Sequence, residues 1–167
     1  MKIGVGADNN GFKLKEAVKK YLVSEGYEVR DYGTYSEDAI DYPGVAFKLG
    51  DAIINKKEIE RGILFCGTGI GMQIAANKIP GIRAAQINDP YQAQRAELSN
   101  NAQIITFGGF TTGVEVAKSL SKIYLENDFQ KTHKAGSERK VNEIVNKECS
   151  YNPKFFEKIK KQKQSSK

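Results

Sequence analysis

Tryptophan is absent from this 167-residue chain, histidine occurs once and cysteine twice. Two cysteines, Cys66 and Cys149, are too few for a disulfide framework, and they read as free thiols in a reducing compartment. The single histidine, His133, stands in no cluster of cysteine, histidine and aspartate, so no set with metal-ligand spacing is present. No apolar run approaches the roughly 20 residues of a membrane-spanning helix. Met1-Lys2-Ile3-Gly4-Val5 enters a strand-like pattern at once, so no signal or transit peptide is expected and the expected location is the cytoplasm.

Acidic residues are scarcer than basic ones, 20 against 26, which gives a formal charge of +6. Residues 153–167 hold six lysines and one glutamate, so nearly all of the excess sits in a solvated tail and the body is close to neutral. Aromatic residues do not interleave with the basic ones and no RNA- or DNA-binding motif occurs, so a nucleic-acid face is not expected. What is present is the balance of a soluble globular domain, 40% hydrophobic and 28% charged, long enough for one sizeable core.

Short apolar runs alternate with amphipathic stretches. Ile3-Gly4-Val5-Gly6-Ala7 reads as a buried strand, and residues 12–24 follow as a helix with Leu14, Ala17, Val18, Tyr21 and Leu22 on one stripe. Gly26 supplies the left-handed residue that stops it. Strands are expected over 27–32, 62–66, 82–87 and 103–107. Helices are expected over 43–55, 69–78, 89–98 and 113–126, with Asp89 as a cap and Pro43 and Pro90 in first turns. This alternation implies a three-layer α/β/α fold with a five-stranded parallel, Rossmann-like sheet. Residues 1–127 form the α/β domain. Residues 128–163 are too poor in apolar side chains for their own core and form an arm, with a helix over 137–147, that packs on the domain or on a partner subunit. Residues 164–167 are a disordered tail.

Ligands of open parallel sheets bind beyond the carboxyl ends of the strands. Three segments are expected there: Gly6-Ala7-Asp8-Asn9-Asn10-Gly11, Cys66-Gly67-Thr68-Gly69-Ile70-Gly71, and Ser99-Asn100-Asn101-Ala102 just before the fifth strand. The alternate glycines after Cys66 let backbone amides turn inward at a helix N-terminus, where they hold a phosphate or a developing oxyanion. Their spacing fits neither a dinucleotide fingerprint nor a Walker loop. A helix N-terminus favours a nearby thiolate, the reactive form of cysteine, so Cys66 is the candidate for chemistry and Cys149 is incidental.

The set Gly6-Ala7-Asp8, Asp31-Tyr32-Gly33-Thr34, Asp41-Tyr42-Pro43, Cys66 to Gly71, Ala75-Ala76-Asn77-Lys78 and Gly81-Ile82-Arg83-Ala84 resembles the family of type B ribose-5-phosphate isomerases and galactose-6-phosphate isomerase subunits. That resemblance implies an aldose–ketose isomerase of a phosphorylated sugar, without metal or cofactor. It also implies a homodimer or dimer of dimers with active sites at the subunit interface. Carried over, Cys66 is the base that moves a proton between C2 and C1, and the amides of Gly67, Gly69, Ile70 and Gly71 hold the enediolate. Thr68 assists proton movement on the oxygens, Asp8 helps open the ring, and Tyr42 lines the sugar pocket beside Asn9. Asn9 stands where the family has a histidine, Ser99 stands in place of a ring-opening histidine next to Asn100, and Phe110 stands in place of a phosphate-binding arginine. Lys134, Arg139 and Lys140 are the cations left for the phosphate. The alternatives are a subunit of galactose-6-phosphate isomerase completed by a paralogous partner, a homodimeric isomerase for another sugar phosphate, such as a four-carbon one, and a phosphosugar-binding protein without turnover.

Overall fold

The computed structural model describes residues 1–129, 135–151, 153, 154 and 157. Five strands, β1 (Lys2–Ala7), β2 (Glu28–Asp31), β3 (Arg61–Cys66), β4 (Ala84–Gln86) and β5 (Ile104–Gly108), form one parallel sheet in the order β2-β1-β3-β5-β4. The helices are α1 (Phe12–Ser24), α2 (Tyr42–Ile54), α3 (Ile70–Ala76), α4 (Pro90–Leu98), α5 (Val114–Glu126) and α6 (Ala135–Tyr151). The expected three-layer α/β/α architecture is the one observed. No helix among the described residues is long and apolar enough to cross a membrane.

Strand side chains alternate between faces, and the core divides accordingly. Ile63 and Phe65 of β3 point with Ile3, Val5, Ile105 and Phe107 toward α1, α4 and α5. Leu64 and Cys66 point the other way, with Leu49, Ala46, Met72 and Ala75 of α2 and α3. Because both faces are covered, every residue of β3 and β5 is buried, which is why these segments read as largely apolar, with Arg61 at the start of β3 and Thr106 within β5 as the polar members.

The helix over 12–24 falls where its stripe places it, and Asp89 accepts the Gln92 N–H at 2.8 Å as the cap of α4. The expected strand over 82–87 shortens to β4, a three-residue edge strand. The Asn77 side chain occupies both backbone groups of Ala84, donating to its carbonyl at 2.8 Å and accepting its N–H at 2.9 Å. The segment after Asn127 is tied to its own domain. Phe129 and Val141 are buried, and the Glu148 carboxylate accepts the Gly81 N–H at 3.0 Å. Ile144 and Tyr151 stay exposed. Phe155, Phe156 and Ile159, and the tail over 164–167, lie outside the described residues.

Candidate active site

From β1 the chain crosses to β2 on one side and to β3 on the other, so the loops leaving β1 and β3 part and open a crevice at the carboxyl end of the sheet. The loop after β1 turns tightly: Asp8 N–H donates to the Phe65 carbonyl at 3.2 Å, and the Asp8 carboxylate accepts the Gly11 N–H at 2.9 Å. Asp8 is buried at 6% exposure. Burial pushes its carboxyl above the ordinary value, and the N–H groups of Gly11 and Asn10 offset only part of that rise. Asp8, Asn9 and Asn10 form one wall of a cleft of about 360 Å³, and Ala39, Ile40, Asp41 and Tyr42 form the other.

Cys66 ends β3 with its side chain 4% exposed. The chain reverses through Gly69, which caps α3 at φ +85°, a left-handed conformation that a side chain would strain. That reversal aims the Gly69 N–H at the Cys66 Sγ, 3.1 Å away. Thr68 is exposed, its Oγ1 3.4 Å from the Ile70 N–H, and its carbonyl accepts from Gln86 Nε2 at 2.8 Å. The Tyr42 ring lies over Gly71, so close that a Cβ there would sit 2.8 Å from the ring. This contact joins the β2–α2 wall to the cysteine loop. The loop after β5 closes the other side, with Gly109 N–H on the Cys66 carbonyl at 2.7 Å and Phe110 N–H on the Gly67 carbonyl at 2.9 Å. The Phe110 side chain is 74% exposed at the mouth.

Asp8, Asn9, Tyr42, Cys66, Gly67, Thr68, Gly69, Ile70 and Gly71 therefore share one end of the sheet. Ser99, Asn100, Arg139 and Lys140 do not join them within the chain. The expectation that residues 99–102 lie beyond the carboxyl ends is corrected by the topology. A helix between parallel strands runs back along the sheet, so the loop preceding β5 lies at the amino end. There Ser99 Oγ accepts from Arg95 Nε at 2.8 Å, and the Asn100 and Asn101 carbonyls accept from Arg83 Nε at 3.1 and 2.9 Å. Arg139 and Lys140 are exposed on α6, which is anchored at that same end through Gly81; Arg139 faces Glu143 at 3.8 Å.

Sequence reading missed a charged residue behind the cleft, Lys15, and its pairing with Asp31. Lys15 is fully buried, and its ammonium contacts both oxygens of Asp31 at 2.9 and 2.7 Å. The signal was its place on the inward stripe with Val18 and Leu22, where a lysine is out of keeping. Burial alone would raise the Asp31 carboxyl, but hydrogen bonds from Lys15, Lys19 and the Gly33 N–H outweigh it and hold the group below the usual carboxylate range.

Residues 3–144 match the ribose/galactose isomerase family. Ribose-5-P isomerase B of Listeria innocua serovar 6a is 45% identical over 129 residues, 77% of this chain and 86% of its own. D-erythrulose-4-phosphate isomerase of Pectobacterium atrosepticum is 46% identical over 146 residues, 86% of this chain and 93% of its own. The structure of ribose-5-phosphate isomerase B from Clostridium thermocellum superposes with a TM-score of 0.85 at 38% identity, covering 90% of this chain and 99% of that one. With the match running from β1 through both crevice loops and into α6, the chain belongs to the ribose/galactose isomerase family.

Proposed function

We propose that this protein interconverts the aldose and ketose forms of a phosphorylated sugar, with Cys66 as the base. The observation that carries the reading is the Cys66 Sγ, at the end of a buried strand and facing the Gly69 N–H at 3.1 Å inside a loop of backbone amides. In its thiolate form Sγ takes the proton from C2 of the open-chain aldose, leaving an enediolate. The Cys66 thiol, which exchanges its proton with solvent, then delivers a proton to C1. Thr68 helps move the hydroxyl proton from the C2 oxygen to the C1 oxygen, so that the C2 hydroxyl becomes the ketose carbonyl and the C1 aldehyde becomes a hydroxyl. Amides of residues 67–71 hold the developing charge, an interaction worth more in a water-poor cleft than in bulk water. Asp8, whose carboxyl burial pushes above its ordinary value, exchanges a proton with the ring oxygen. Tyr42 and Asn9 line the sugar. Residues of one sheet end act on their own cleft, whereas Ser99, Asn100, Arg139 and Lys140 act on the cleft of a neighbouring copy, with the arm over 128–163 as the bridge between copies.

Replacing Cys66 by alanine should lower solvent-deuterium incorporation into D-ribose 5-phosphate and D-erythrulose 4-phosphate by at least about 10²–10⁴-fold. Exchange persisting in Cys66→Ala overturns the assignment, and Cys149→Ala should match the unmodified protein. A fully active monomer at micromolar concentration, seen by sedimentation, overturns the shared cleft.

Within the sugar phosphates, a four-carbon substrate is favoured by the long match to the Pectobacterium D-erythrulose-4-phosphate isomerase and by Ser99 and Asn9 in place of histidines. An aldotetrose phosphorylated at C4 has no free hydroxyl with which to close a five-membered ring, so it needs no ring opener. D-erythrulose 4-phosphate should turn over with kcat/KM at least about tenfold above D-ribose 5-phosphate. Equal values would show that the chain opens a ring by other means.

A further inference from the structure

We infer that Lys15 is a positioning residue that fixes the separation of the two cleft walls. One wall, Asp8 to Asn10, runs directly into α1, and Lys15 stands in the first turn of that helix, its N–H making the ordinary helical bond to the Gly11 carbonyl at 2.9 Å. The other wall, Ala39 to Tyr42, hangs from the segment that leaves β2 at Asp31. The Lys15 ammonium binds that segment at two points, the Asp31 carboxylate and the Thr34 carbonyl at 2.5 Å. The Lys15 side chain thus ties the helix that continues one wall to the segment that carries the other.

Alternatives to such a role are poor. Lys15 is fully buried between the Phe12 and Tyr35 rings, with its ammonium 5.3 and 5.5 Å from their centroids. A leucine or methionine on this stripe would fill the same space without the cost of desolvating a charge. An ammonium has three hydrogens, and Asp31, Thr34 and Glu16 (3.0 Å) satisfy them. Lys19 shares Asp31 at 2.7 Å and Glu16 at 2.6 Å but has no hydrogen bond to the Thr34 carbonyl. It therefore separates support of the ion network from support of the wall.

This inference rests on the isomerase reading only for its kinetic arm. In the full-length protein, Lys15→Met should raise KM for D-erythrulose 4-phosphate or D-ribose 5-phosphate about tenfold, with kcat within about threefold. Lys19→Met should leave KM within about twofold while lowering the denaturation midpoint. Hydrogen exchange of residues 33–42 should speed by about tenfold in Lys15→Met and not in Lys19→Met, with β3 and β5 unchanged. An unchanged KM in Lys15→Met, an equal rise in Lys19→Met, or unaltered exchange over 33–42 overturns the inference. If Lys15→Met does not accumulate, Asp31→Asn carries the test, with KM raised about threefold, and an unchanged KM there overturns it equally. If the unmodified protein converts neither sugar, the isomerase reading falls, and the exchange measurement still decides the role of Lys15.

Discussion

The two ends of the sheet are built on different terms. At the amino end, buried charges are matched in full. Arg61, the first residue of β3, meets Glu97 of α4 at 2.9 Å, donates to the Tyr124 carbonyl at 3.0 Å and lies 5.2 Å from the centroid of the Tyr124 ring. Glu97 also accepts the Phe129 N–H at 3.1 Å, and the Tyr124 hydroxyl donates to the Ala102 carbonyl at 2.7 Å. At the carboxyl end the Lys15–Asp31 pair is matched as well, but in front of it a buried carboxyl and a buried thiol face only backbone amides, and the surrounding loops carry exposed side chains such as Phe110 and Thr68. One end closes the domain. The other is where the proposed function puts the ligand, so substitutions there should cost activity more than stability.

That contrast is sharpest at Cys66, whose removal should stop isotope exchange as described above and shift the thermal midpoint little, since a single small side chain is lost. The opposite result is expected at Arg61. Arg61→Leu leaves Glu97 buried without its cation and should cost about 3–5 kcal/mol by urea denaturation, with KM of the remaining folded protein unchanged. A variant that stays stable but binds sugar phosphate poorly would break the division between the ends.

Asp8 tests the contrast from the other direction. Its folded pKa lies above the ordinary 3.8, so its contribution to stability is complete below that value and is lost as pH rises through the folded pKa. Asp8→Asn keeps an oxygen for the Gly11 N–H and removes the buried charge. At pH 7 it should melt at a higher temperature than the unmodified protein, and the gap should close near pH 3.8, while turnover of a ring-forming sugar falls. A lower melting temperature at pH 7 would place Asp8 among the stabilising charges instead. The smallest effect is expected at Gly71. Gly71→Ala pushes the Tyr42 ring outward, and since Tyr42 is 37% exposed the far edge of its ring can shift toward solvent, so stability should change by less than about 1 kcal/mol while KM rises severalfold.

Local patterns made much of this legible beforehand. The stripe of α1, the Asp89 cap and the continuous apolar run of β3 depend on neighbours within a few residues, and each falls where the sequence puts it. The turn after β3 was legible too: alternate glycines alone suit a structural turn as well as an anion loop, and it is Cys66 directly before them that singles the segment out as a candidate site. What depends on topology was not. The β2-β1-β3-β5-β4 order is set by pairings between distant segments, and without it residues 99–102 were assigned to the wrong end of the sheet. Lys15 escaped for a related reason: its partners at Asp31 and Thr34 come from a loop whose return path no helical periodicity encodes.

The Asn77 side chain has a consequence for how copies of this protein can meet. By taking both the N–H and the carbonyl of Ala84, it stands in for a sixth strand at the outer margin of β4. An edge with free backbone groups invites another chain to extend the sheet, which is a common route to aggregation. Here the strand is three residues long and its first residue is already spoken for, so little remains to template a neighbour. Any assembly that includes this margin has to be made by side chains rather than by a sheet running from one copy into the next.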